Sequence, residues 1–257
     1  MRSIPPEQQI ATIYSTLYRA WGRQHWWPAQ SPFEVIVGAY LTQNTAWRSV
    51  EIALKNLRSA KLLSVGGVRK VPIRRLEQLI RSSGYFRQKA ARLKMFVKFL
   101  DKTYGGSLTR MFAQPSAELR EQLLSLNGVG RETADSILLY AGQHPIFVVD
   151  AYTRRIAERH QIASGTATYD ELRTLFERSL AAAELPETSP ASPGRASHKP
   201  SRMSLASRVP LAQVFNEMHG LIVGVGKNYC AKSKPRCDEC PLKQLLPTPQ
   251  TSVVSAL

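Results

Sequence analysis

Apolar positions along this chain recur at helical spacing and seldom alternate. Residues 31–41 predict a helix with a defined start: Ser31 can cap it, Pro32 sits at the first helical position, and Glu34 completes a capping box. Phe33, Ile36, Val37, Tyr40 and Leu41 then fall on one face. Similar patterns run over about 46–59, 74–82, 87–103 and 116–126, separated by breaks at Gly66-Gly67, Ser83-Gly84 and Gly105-Gly106. Strand patterns are almost absent, so the expected fold class is all-α. Residues 184–205, ELPETSPASPGRASHKPSRMSL, are rich in Pro, Ser and basic side chains and predict a flexible insertion between two helices. A frayed tail is expected from about Pro247.

Composition narrows the function. A chain of 257 residues, 43% of them hydrophobic, can bury one large core or two small ones. No apolar run approaches the roughly eighteen residues of a membrane span. The opening MRSIPPEQQI lacks the apolar stretch of a signal peptide, so a cytoplasmic, nucleoid-associated protein is expected. The formal net charge of +16 asks for a polyanionic partner. Lys55, Arg58, Arg87, Lys89, Arg92, Lys94 and Lys102 are interleaved with apolar residues and so belong to folded elements. Charge alone fits nucleic acid or an anionic membrane surface. The lack of a long basic amphipathic helix disfavours the membrane.

The most informative stretch is 119–159, LREQLLSLNGVGRETADSILLYAGQHPIFVVDAYTRRIAER. Leu119, Leu123 and Leu126 make one helical stripe, and Ala134, Ile137, Leu138 and Ala141 another. Between them, Asn127, Gly128, Val129 and Gly130 predict a tight turn that Val129 pins into the helix pair. The amides from Gly128 to Arg131 would then open a helix and can bind a phosphate oxygen without reading a base. An ordinary helix–helix turn is the plainer alternative. Asp150 follows the apolar run 146–149 and is placed to cap the helix AYTRRIAERH. A carboxylate held there can also activate water or face positive charge developing on a sugar.

The strings LNGVGRETAD and VVD resemble the helix-hairpin-helix and Gly-Pro-Asp region of the endonuclease III superfamily. The likeness runs from about residue 15 to 246 apart from the insertion, and includes LTQNT (41–45), SGYFRQKAARL (83–93) and HGLIVGVGKNYC. It implies two helical lobes gripping double-stranded DNA in the cleft between them. One lobe would span 29–131 and end in the hairpin; the other would combine 1–28 with 132–257. It also implies DNA contacts from the hairpin residues Asn127, Gly128, Val129, Gly130, Arg131 and Thr133. Gln43 matches the position that fills the gap left by a flipped base, a buried helix-capping amide being the alternative.

Two departures refine the expectation. Bifunctional members carry a lysine two residues after the second hairpin glycine; here that position is Glu132, which cannot form a Schiff base. A monofunctional glycosylase acting through Asp150 is therefore expected, with a bifunctional lyase and a catalytically silent DNA-binding protein as alternatives. Glu132, LTQNT, Trp27 with Pro28, and Trp47 resemble the branch that excises 3-methyladenine, where aromatic faces favour a cationic purine. Trp21 and Trp26 are expected in the core. Lys227 matches a lysine near that branch's active site, and could equally touch phosphate. The other departure is metal: Cys230, Cys237 and Cys240 follow the start of the family's [4Fe–4S] loop, but the fourth position is Leu246. A cluster with another fourth ligand, a three-iron form and complete loss all remain open. A monomer is expected.

Overall fold

The computed structural model describes residues 4–184 and 198–247, and no strand occurs among them. Its helices are α1 (Pro6–Trp21), α2 (Pro32–Leu41), α3 (Trp47–Ser59), α4 (Val65–Lys70), α5 (Ile73–Leu79) and α6 (Phe86–Tyr104). They continue as α7 (Leu108–Phe112), α8 (Ser116–Leu124), α9 (Arg131–Ser136), α10 (Ala151–Arg159), α11 (Tyr169–Ala182) and α12 (Pro210–Asn228). The all-α expectation holds. None of the described helices is long and apolar enough to cross a membrane.

The chain forms two compact units. The first comprises 1–24, 149–196 and 218–257; the second comprises 25–148 and 197–217. The division thus falls between Val148 and Val149 and not after Arg131, because α9 and the wider π-helical turn that continues it, Ile137–Ala141, pack on α2. Within the first unit α1 lies on α11, joining Ile10, Ile13 and Leu17 to a core with Leu172, Phe176 and Leu180. Gly224 of α12 makes room for Trp21, whose ring stacks on Tyr229 at 6.1 Å.

α2 is the centre of the second unit. Its start is as expected, with Ser31 Oγ accepting from the Glu34 amide at 3.2 Å. The reciprocal half of the box shifts by one residue, since Glu34 Oε2 accepts from Gln30 N. Every residue from Phe33 to Leu41 is buried, so α2 does not have the single apolar face its pattern suggested. A helix apolar all round is one covered on all sides, here by α3, α6 and α9. The break expected at Gly66-Gly67 is instead α4, where Ser64 caps the Gly67 amide. A side chain on Gly67 would run into the Leu62 backbone, 2.6 Å from its oxygen.

Residues 185–197 of the expected insertion and 248–257 of the expected tail lie outside the described residues. The rest of the insertion corrects the reading of 184–205 as flexible. Ser201, Met203 and Ser204 are buried, and the Met203 amide donates to Ala29 O at 3.0 Å. Short-range composition could not show this, because the partners lie at the other end of the unit's sequence.

Candidate active site

In the second unit, α8 and α9 enclose the hairpin. Arg120 forks onto Asp135 at 2.7 and 3.1 Å, and Asp135 is fully buried, so the two helices are clamped by an ion pair that is costly to break. Val129 is buried at the turn, and its amide donates to Leu126 O. The two glycines differ. Gly128 has φ +80°, and a Cβ there would fall 2.0 Å from Arg92 Nε. Gly130 has φ −91° and open space where a Cβ would go, so a steric need for glycine exists at Gly128 alone. No side chain caps α9 at Gly130, and Asn127, Gly130 and Arg131 are exposed.

Gln43 reaches this turn from the segment after α2. Its Nε2 donates to Gly128 O at 2.9 Å and Thr133 Oγ1 at 3.0 Å, while Oε1 accepts from Arg92 at 2.8 Å. The amide therefore does not cap its own helix; it braces the hairpin. Thr133 is buried beneath it. Lys89, one of the basic residues expected in folded elements, is 1% exposed. Its ammonium donates to Leu41 O, Thr45 Oγ1 and Ser83 O at 2.6–2.8 Å and so joins the LTQNT segment to the loop before α6. Burial, helped by the charge of Arg92, pulls its pKa down to about 8.

An aromatic cluster forms nearby in the same unit. Trp27 lies 5.2 Å from Trp47 edge to face and 5.3 Å from Tyr140. His198 joins at 5.2 Å from Trp26 and 6.2 Å from Trp47. Gly38 of α2 lets the Trp27 ring approach, since a Cβ would come within 3.1 Å of it. Trp21 and Trp26 are buried, whereas Trp47 and Pro28 are half-buried. The Nε1 donors of Trp27 and Trp47 are buried with no hydrogen-bond acceptor among the described residues.

In the first unit Asp150 caps α10. Its Oδ1 accepts from Thr153 N at 2.8 Å and Thr153 Oγ1 at 3.0 Å, closing a full capping box. Oδ2 lies 3.7 Å from Nε2 of His219 in α12, a residue that is 4% exposed. Burial holds the His219 imidazole below its ordinary pKa, with the Asp150 carboxylate pulling the other way. His219 was missed in the sequence, although it opens HGLIVGVGK; only the packing of α12 on α10 brings it to Asp150. Gly226 permits that packing, as a Cβ there would fall 2.1 Å from the Tyr152 ring. Lys227 is exposed in the last turn of α12, and Glu132 is exposed in the first turn of α9.

The cysteines belong to the first unit as well. Cys230, Cys237 and Cys240 line one small cavity together with Arg159, His160 and Leu246. Arg155 donates to Cys230 O at 2.6 Å and Arg159 to Cys230 Sγ at 3.0 Å. Burial raises the pKa of the Cys240 thiol; its bond from the Leu242 amide opposes this, and the other two thiols add to it. Among the described residues no three His, Cys, Asp or Glu side chains converge on one metal ion. Thiols spread around a shared cavity suit a cluster, in which each iron takes its own ligand.

Residues 37–182 match the sequence profile of the HhH-GPD superfamily base excision DNA repair proteins. A putative DNA repair glycosylase of Methanocaldococcus jannaschii is 40% identical over 240 residues, 92% of this chain and 95% of its own. Endonuclease III of Thermotoga maritima is 28% identical over 216 residues, covering 82% and 81%. Among solved structures, H. pylori 3-methyladenine DNA glycosylase bound to 1,N6-ethenoadenine superposes with TM-score 0.67 at 27% identity, covering 87% of this chain and 98% of that one. A trapped endonuclease III–DNA covalent intermediate gives TM-score 0.69 at 21% identity, covering 96% of each, which speaks to the fold alone.

Proposed function

Because the chain belongs to the HhH-GPD superfamily of base excision DNA repair proteins, we propose that it is a monofunctional DNA glycosylase that removes an alkylated purine from duplex DNA. The aromatic cluster carries this choice of substrate. Alkylation leaves the purine positively charged, and the half-buried Trp47, backed by the buried rings of Trp27 and Tyr140, would attract such a ring more than a neutral one. The two indole N–H groups without protein acceptors supply donors for its edge. The likeness to the H. pylori enzyme supports the same class.

Asp150 performs the displacement. With Oδ1 held by Thr153, Oδ2 is the atom that takes a proton from attacking water or faces the charge developing on the sugar. The hairpin turn and the exposed Arg131 hold phosphate, and Glu132 provides no amine for strand cleavage. Lys227 is the amine that a bifunctional reading would use. Cys230, Cys237 and Cys240 would hold an iron–sulfur cluster, which when bound cross-links the C-terminal loop as a rigid, redox-capable centre. The enzyme works as a monomer on double-stranded DNA, in the cytoplasm at the nucleoid.

The test is base release from methylated duplex DNA, with strand nicks scored before and after alkali. Release of 3-methyladenine with nicks only after alkali is expected, and Asp150→Asn should slow release by about 10²–10⁴-fold while duplex affinity survives. An unchanged rate in the variant removes Asp150 from the chemistry. Nicks before alkali with borohydride trapping, abolished by Lys227→Ala, establish the bifunctional alternative. Retained DNA binding without release from any damaged base establishes the silent binding protein.

A further inference from the structure

His160, the residue after α10, takes on meaning beside the cysteine loop. It is 6% exposed and lines the same cavity as the three thiols. Its Nδ1 lies 3.1 Å from the carbonyl oxygen of Leu245. A carbonyl can only accept, so Nδ1 carries the proton and Nε2 of the neutral ring holds the lone pair. Ligating histidines are built this way, with one nitrogen donating to a backbone carbonyl to orient the ring and the other free for the metal. Leu245 immediately precedes Leu246, the position where a fourth thiolate is missing. The imidazole is thus tied to the segment in which the fourth ligand should be found.

Other side chains around the cavity are poor substitutes. Arg159 is turned onto Cys230 Sγ at 3.0 Å, Lys243 is paired with Asp238 at 3.0 Å, and the Leu246 side chain has no donor atom. Tyr229 is stacked on Trp21 and carries Arg236 over its ring. We propose that His160, through Nε2, is the fourth protein ligand of an iron–sulfur cluster whose other ligands are Cys230, Cys237 and Cys240. This rests on the cluster reading above. Ligation forms an iron–nitrogen bond without a redox change, and releases no proton because Nε2 carries none in this tautomer. Replacing a thiolate by a neutral ring makes the ligand set less negative by one charge, in a site already faced by Arg155 and Arg159.

The test measures iron and acid-labile sulfide per chain, with electron paramagnetic resonance, on the full chain reconstituted without oxygen. His160→Asn is the informative variant: its amide can still donate to Leu245 O but offers no ring nitrogen. Wild type should take about four irons per chain, and His160→Asn should lose at least about one and show a three-iron signal or none. Adding Leu246→Cys to His160→Asn should restore about four. Circular dichroism of the apo variants confirms that they fold. Full iron and an unchanged spectrum in His160→Asn overturn the assignment. So does a wild type with fewer than about four irons while Leu246→Cys alone takes four. If neither wild type nor Leu246→Cys takes up iron, the cluster reading fails and the assignment falls with it, while the base-release assay still judges the glycosylase.

Discussion

The hairpin and the aromatic cluster occupy the same unit but treat their polar atoms in opposite ways. At the hairpin, both ends of the Gln43 amide are satisfied, by Gly128 O, Thr133 and Arg92, and Arg120 is forked onto Asp135. In the cluster, Trp27 and Trp47 bury indole N–H groups with no acceptor among the described residues. A buried donor left unpaired costs about 1–3 kcal/mol, so it is retained where something else gains from it. Saturated groups set a shape before DNA arrives; unsaturated ones are available to a ligand. In the proposed function the hairpin would hold any duplex, while the cluster would choose the base.

Substitutions can break that contrast. The largest effect is expected from Trp27→Ala, which removes the centre of the cluster and costs about 3–5 kcal/mol of stability, read in urea melts. Trp27→Phe keeps the ring and drops the donor, so a fall in base release with unchanged duplex affinity would isolate the N–H. Next is Gly128→Ala, about 2 kcal/mol, from a left-handed backbone and displacement of Arg92. Binding should weaken alike for damaged and undamaged duplexes in a fluorescence titration. An effect confined to one lesion would contradict the division of labour. Gln43→Ala leaves Gly128 O without that partner and should cost about 1–2 kcal/mol, with faster amide exchange in the hairpin.

Acid provides a gentler probe of buried polar groups. Burial holds His144 and His219 below their ordinary pKa, so the unfolded chain binds more protons than the folded one as pH falls. Their contribution is complete above about pH 6.5 and declines as pH drops below it. Urea melts should show this loss, and His144→Phe should reduce it. The smallest effect is expected at Gly130, where a Cβ meets open space: Gly130→Ala should shift stability by no more than about 0.5 kcal/mol. Any loss of duplex affinity there would then report a close approach of DNA and not a damaged fold.

Much was legible along the chain because it is decided locally. The start of α2 at Ser31, the Val129 turn, the Asp150 cap and the spacing of the cysteines all depend on neighbours within a few residues. Helical period and capping chemistry act over that range. The resemblance to a family added what those motifs do together. What remained hidden depends on residues far apart in sequence. Gln43 meets Gly128, and His160 meets Leu245, each across 85 positions. Lys89 was legible only as one of several basic residues in folded elements, because nothing beside it in sequence reveals the three oxygens that surround it. His219 lay in a string noted only for its family likeness, and Ser201 and Met203 in one noted for its flexibility. By itself the sequence determined many of the helices, the turn, the charge and the inventory of reactive groups, since these follow from composition and near neighbours. Tertiary structure alone decided which of those groups meet, because a long-range contact is selected by the packing of whole helices, and that packing leaves little trace in the residues on either side of the contact.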